Sequence, residues 1–293
     1  MKKAIYVLFS VLLTASLISW NWTKTQHPTL EKAEVIECLN METQQAYQLE
    51  AGTPAFAGMH PSPIVVNPEN LLGKMMSFDA ADGKQANAYF IAAKKKSNKY
   101  LIVIQEWWGL NDNIKTMAED IRAKGFHAIA IDLFNGSVAT NRDEAKTQTR
   151  AVKASEANAT IAAWVDWAKA NGNGKVATLG WCFGGGWSLS AALNTKLDAA
   201  VIYYGRVTAN ADSLKKLNAP LLGHFGTLDK SINPEMVGAF QKNLAEAGKS
   251  DLMTTYWYTA GHAFANPTGG RYDEDDAALA WARTHTFLAA HLR

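Results

Sequence analysis

The sequence predicts a single α/β domain, a mostly parallel sheet covered by helices on both faces. Three observations predict it. From about residue 72, short apolar runs alternate with segments of helical periodicity. The apolar runs are brief and unbroken, as expected of strands buried on both faces. Reactive side chains recur just after these runs, at the carboxyl ends of strands, where parallel sheets bind their ligands.

The elements follow in order. Met75–Asp79 and Gln85–Ala92 are extended runs, and Asp82-Gly83 between them is a hairpin turn signal. Tyr100–Gln105 (YLIVIQ) is a buried strand. Ile114, Met117, Ala118 and Ile121 follow at helical spacing, and Gly125 ends that helix. His127–Ile131 is the next strand, and Ile161, Trp164, Val165 and Ala168 give a second apolar helical face. Val176–Gly180 is a strand that runs into a Gly-rich helix start. Ala199–Tyr203 and Leu221–Phe225 are further strands. Asn233-Pro234 caps a helix that runs to about Ala247, with Gly248 after it. Met253–Tyr258 is β-rich, and Asp275–Leu292 is the final helix.

Composition narrows the function. The chain has 293 residues, 48% of them apolar, enough for a sizeable core. Charged residues are only 19%, against an average of about 25%, which argues against a disordered or tail-like chain. The 29 basic and 27 acidic residues leave a net charge of +2 with no basic block, so nucleic acid is not an expected partner. Two cysteines support neither a disulfide scaffold nor a Cys-rich zinc site. No partner protein is predicted from the sequence.

The N-terminal part differs from the rest. Lys2 and Lys3 precede the apolar run Ala4–Trp20, the pattern of a secretory signal. The run is at the lower limit for a spanning helix, and no clean A-x-A cleavage site follows it, so an uncleaved anchor is the competing reading. Either way the main domain is expected outside the cytoplasm, in a bacterial periplasm. The division is residues 1–22 as signal peptide or anchor, 23–71 as a proline-containing lead segment, and 72–293 as the α/β domain. Glu31 to Glu50 is one helical stretch of the lead segment. Pro54, Pro61, Pro63 and Pro68 favour extended chain, and His60 among them reads as a loop residue and not as a ligand.

Chemistry concentrates at Gly180-Trp181-Cys182-Phe183-Gly184. This segment follows a strand and opens a helix, the context of a nucleophile elbow with cysteine in place of serine. The helix directs its positive dipole end at the sulfur. Asp229 follows the strand LLGHF, and His262 follows MTTYWY. Nucleophile, acid, histidine is the α/β-hydrolase order. The histidine takes the thiol proton and returns one to the leaving group, and the aspartate fixes its tautomer. His127 and His224 lie in strands and read as structural. The backbone N–H groups of Trp107 and Phe183 are positioned to converge on one oxyanion. Trp107, Trp108 and Trp181 flank the site and suit an apolar acyl group. Trp164 and Trp167 share a helix and read as packing residues. Glu106, at a strand end near a thiol, has by itself only the bland reading of a loop acid.

At these residues the sequence resembles the dienelactone hydrolase family, also called carboxymethylenebutenolidase-like proteins. The resemblance spans most of residues 73–293 and rests on QEWWGLN, the IDLF strand end, GWCFGG, YYG, GTLD and GHAF in that order. It implies a compact α/β-hydrolase fold acting on small-molecule esters or lactones without metal or cofactor. It implies Cys182 as nucleophile, His262 as base and Asp229 as orienting acid. It also gives Glu106 a role, since the matching glutamate contacts the thiol and assists its deprotonation when substrate binds.

The sequence departs from the family at the substrate clamp. Asn266 stands where an arginine follows the catalytic histidine by four residues, and Gly136 stands where another follows the strand-end aspartate, here Asp132. Without those cations a buried substrate carboxylate is costly, so dienelactone itself is not the expected substrate. Arg206, after Tyr203-Tyr204-Gly205, is the replacement cation to test, with Arg271 and Arg142 as weaker candidates. The competing functions are a thioesterase, deacylase or peptidase on the same fold, a binding protein without catalysis, and a thiol redox protein using Cys182 and Cys38.

Overall fold

The computed structural model describes Gly58, His60, Ile64, Pro68, residues 70–172 and residues 174–293. The signal or anchor, the Glu31–Glu50 stretch and Cys38 lie outside the described residues. No helix among the described residues is long and apolar enough to cross a membrane.

An 8-stranded sheet organises the domain, in the order β1-β2-β4-β3-β5-β6-β7-β8. The strands are β1 (Lys74–Asp79), β2 (Gln85–Ile91), β3 (Tyr100–Ile104), β4 (His127–Asp132), β5 (Val176–Trp181), β6 (Ala199–Tyr203), β7 (Leu221–Gly226) and β8 (Met253–Tyr258). β1 and β2 form the expected antiparallel hairpin, with Gly83 at φ 78° in its turn. β2 pairs antiparallel with β4, and every pairing from β4 to β8 is parallel. The chain thus forms the fold that the alternating pattern predicts.

The helices are α1 (Asp112–Ala123), α2 (Arg142–Ala151), α3 (Ala154–Asn171), α4 (Phe183–Asn194), α5 (Ala211–Leu214), α6 (Pro234–Glu246) and α7 (Glu274–His291). Five of these seven starts are capped by an asparagine or aspartate side chain. Asn233 accepts a hydrogen bond from the Met236 N–H at 2.9 Å, with Pro234 following it, a pattern that fixes the first turn of α6. α2 has no apolar periodicity and buries only Ala145 and Thr149, which is why hydrophobic pattern does not reveal it. Its local signal is Asn141 with Glu144 three residues later. Asn141 accepts from the Glu144 N–H at 3.0 Å, and Glu144 accepts from the Thr140 N–H at 2.8 Å.

Every residue of β3, β5, β6 and β7 is buried. Trp164, on α3, is fully buried and packs edge-on to Phe78 at 4.5 Å between ring centroids. Burying a side chain of this size contributes roughly 1.5–3 kcal/mol or more. Trp167 is partly buried against the same core, and His224 is buried with Tyr258 and Thr284 as hydrogen-bond partners, so these residues have the packing roles read from sequence.

Candidate active site

Sheet register brings the reactive residues together. Ile104 of β3 pairs with Gly180 of β5, and Trp181 of β5 pairs with Tyr203 of β6. Glu106, Cys182 and Tyr204 therefore leave the sheet side by side at its carboxyl edge. Gly226 of β7 pairs with Tyr258 of β8, and this places the Asp229 and His262 loops next to each other.

Cys182 sits at φ 54° and ψ −114°, between the end of β5 and the first residue of α4. That conformation is costly for a residue with a side chain, by about 1–3 kcal/mol, and is tolerated where the surroundings fix it. The turn is tight enough that a Cβ on Gly180 would overlap the Gly184 carbonyl, and one on Gly184 would overlap the Ile104 carbonyl. Asn135, Tyr204 and Ala263 also have positive φ, and all of these residues lie beyond carboxyl ends of strands. Backbone strain in the described residues is confined to the edge that carries the reactive groups.

His262 Nδ1 lies 2.6 Å from Asp229 Oδ2. Asp229 Oδ1 accepts hydrogen bonds from the N–H groups of Ser231 at 2.9 Å and Ile232 at 3.0 Å. Burial pushes the Asp229 carboxyl up, but His262 and the two amides outweigh it and hold the group below the usual range. For His262, burial favours the neutral ring, while Asp229 and the Cys182 sulfur favour the imidazolium and win. One ring nitrogen meets the carboxylate, and the Cys182 sulfur lies within 4.8 Å of the ring. Such a ring can accept a thiol proton and hold it.

Glu106 is buried, and its carboxyl is pushed up to about 7 by that burial, against the opposing effects of His262, Asn266 and Tyr204. Asn266 donates its side-chain amide to Glu106 Oε2 at 2.6 Å. Asn266 Oδ1 in turn accepts from the Thr268 N–H at 2.9 Å and the Thr268 hydroxyl at 2.8 Å. The residue standing in the arginine position thus orients Glu106. At the second departure, Asp132 accepts hydrogen bonds from the N–H groups of Phe134 and Gly136, so Gly136 closes a tight turn at the end of β4.

The tryptophans divide. Trp107 is buried with its ring 5.0 Å from that of Trp108, and its carbonyl accepts from Gln148 Nε2 at 2.6 Å. Gln148 belongs to α2, so the helix that apolar periodicity does not show supports the loop after β3. The Trp181 ring meets Tyr203 at 5.8 Å and Trp281 of α7 at 6.3 Å. Phe183 is buried, and its amide opens α4. Arg206 is half-buried, just beyond β6.

His60 differs from its reading as a loop residue without a site role. Its side chain is buried, with Nε2 3.3 Å from Cys182 Sγ. The ring lies 4.5 Å from that of Trp107 and 4.7 Å from that of His262. Its carbonyl accepts from Arg142 Nε at 2.8 Å, and the Gly58 carbonyl accepts from Arg271 Nη2 at 3.2 Å. The two weaker clamp candidates therefore hold backbone upstream of β1. A proline-rich setting gives no local sign of a contact made 122 residues away in sequence.

Comparison with known proteins fits this geometry. A family model described as "Dienelactone hydrolase family" matches residues 86–292. The chain belongs to the dienelactone hydrolase family. This family assignment makes it a carboxylic ester hydrolase. Carboxymethylenebutenolidase 1 of Cupriavidus pinatubonensis is 24% identical over 231 residues, covering 75% of this chain and 97% of the relative. A provisionally named carboxymethylenebutenolidase of Saccharolobus solfataricus is 25% identical over 253 residues, covering 72% and 96%. The crystal structure of a provisionally named dienelactone hydrolase from Klebsiella pneumoniae superposes with a TM-score of 0.66 at 25% identity, covering 74% of this chain and 98% of that one.

Proposed function

We propose that this family member hydrolyses small carboxylic esters or lactones through a Cys182 thioester, with His262 and Asp229 as the acid–base pair. The observation that carries the reading is the 2.6 Å His262–Asp229 contact beside a cysteine held at positive φ. His262 takes the thiol proton as sulfur attacks the acyl carbon. The N–H groups of Trp107 and Phe183 stabilise the oxyanion. His262 then protonates the leaving alkoxide, and the thioester remains. Water attacks the thioester with His262 as base, and the carboxylic acid leaves as Cys182 regains its proton. Ionised Glu106 assists the first deprotonation, and Asn266 holds it in place.

The reaction takes place in the periplasm after export, or at the membrane surface if the N-terminal run stays as an anchor. Dienelactone is not the preferred substrate, because Asn266 and Gly136 supply no cation. Arg206, half-buried just beyond the carboxyl end of β6, receives any anionic group on the acyl part. A panel of aryl esters and lactones, with and without a carboxylate, tests both points. Cys182→Ala is expected to abolish turnover, and Arg206→Ala to lower kcat/KM about tenfold for the anionic substrates alone, which is about 1.4 kcal/mol. Equal rates for Arg206→Ala on every substrate remove the clamp. Undiminished turnover by Cys182→Ala removes the thioester.

A further inference from the structure

We propose that His60, Cys182 and His262 form a binding site for one thiophilic cation of the Zn2+ class, and that the cation and substrate exclude each other. The binding half stands on geometry alone, and the exclusion half rests on the thioester reading above. One sulfur and two imidazole nitrogens, all buried, lie within 4.8 Å of one another. In a tetrahedral zinc site, bonds of about 2.0–2.3 Å put neighbouring ligand atoms roughly 3.3–3.6 Å apart. The His60 Nε2 to Cys182 Sγ distance is already 3.3 Å. Closing the rest of the triangle takes side-chain shifts of about 1 Å.

The surroundings suit a metal. Asp229 occupies His262 Nδ1, which directs Nε2 to the ion and raises the ring's basicity. The Arg142 bond fixes the His60 backbone, and Trp107 walls its ring. Soft sulfur with two imidazoles selects Zn2+, Co2+ or Cd2+ over Mg2+ and Ca2+. On binding, one Zn–S and two Zn–N bonds form. The proton shared by the thiol and His262 leaves to solvent, His60 keeps its remaining proton on Nδ1, and the ion with one thiolate carries a net charge of +1. Asp229, in contact with His262 Nδ1, offsets that charge. The sulfur lone pair is then committed to metal. His60, the ligand from the lead segment, is pinned over the thiol.

The test uses the full chain, stripped of metal and kept reduced, titrated with Co2+ and then Zn2+. The expected result is one equivalent of Co2+ with a sulfur-to-cobalt charge-transfer band, displaced by Zn2+. Zn2+ protects Cys182 from alkylation and suppresses ester hydrolysis over the same concentration range. His60→Ala and the bulkier His60→Gln, each checked for a wild-type-like thermal transition, bind at least tenfold more weakly. Cys182→Ser loses the charge-transfer band. Equal affinity in the folded His60 variants, or no stoichiometric thiolate band, overturns the site. If metal-free protein hydrolyses esters through Cys182 but shows no His60-dependent binding, the metal site falls and the hydrolase reading stands. If His60-dependent binding is found but the metal-free chain hydrolyses nothing, the site stands and exclusion falls with the hydrolase reading.

Discussion

The Asn266 side-chain amide donates to the buried Glu106 carboxylate across 2.6 Å. Thr268 holds Asn266 in turn, so one side chain orients the Glu106 carboxyl. Replacing Asn266 with leucine removes a bond that lowers the Glu106 proton affinity. The expected outcome is a kcat/KM profile whose acid limb, near pH 7 in the wild type, moves to higher pH. A pH–rate series on one neutral ester checks it, and an unmoved limb would separate Asn266 from the function of Glu106.

Glu106 also makes stability depend on pH. Its folded-state proton affinity is raised from 4.5 to about 7 by burial. Between those values the unfolded chain has lost the proton and the folded chain keeps it. Stability therefore falls as pH rises through this window, by about 3 kcal/mol for a shift of that size. Glu106→Gln is expected to flatten this part of the curve. Urea melts of both proteins from pH 4 to pH 8 give the difference directly, and parallel curves would refute the buried-acid account.

The elbow tolerates no side chain at its glycines. A Cβ at Gly180 would run into the Gly184 backbone, which cannot swing aside as a flexible side chain can. Gly180→Ala is expected to lose more than the roughly 1–3 kcal/mol typical of overpacking. Chemical denaturation measures it. A wild-type midpoint would show that the turn is looser than its geometry implies.

Asp229 fixes one tautomer of His262, so Asp229→Asn is expected to lower kcat by about 10³–10⁴-fold with little change in KM. A loss confined to KM would instead give Asp229 a role in substrate binding.

These residues differ in how far their sequence surroundings reveal them. The strands of the parallel sheet are legible because each is a short apolar run ended by a turn residue. Cys182, Asp229 and His262 are legible because each follows such a run. α2 escapes apolar periodicity because it is almost wholly solvated, although its Asn141–Glu144 cap is a local signal. The Trp181 ring direction depends on strand alternation and on a helix 100 residues downstream, so its contact with Trp281 has no local signature. His60 is the extreme case. Its burial on Cys182 is a tertiary contact between a proline-rich segment and a strand end, and neither spacing nor composition encodes it.

The thioester mechanism requires Cys182 to carry the acyl group. The most direct measurement is acid-quenched intact and peptide mass spectrometry of the full chain during turnover of a slow aryl ester. One acyl increment per chain is expected, mapped to the Cys182 peptide, labile to hydroxylamine and absent from Cys182→Ala. An increment on any other residue, or undiminished turnover by Cys182→Ala, would contradict it.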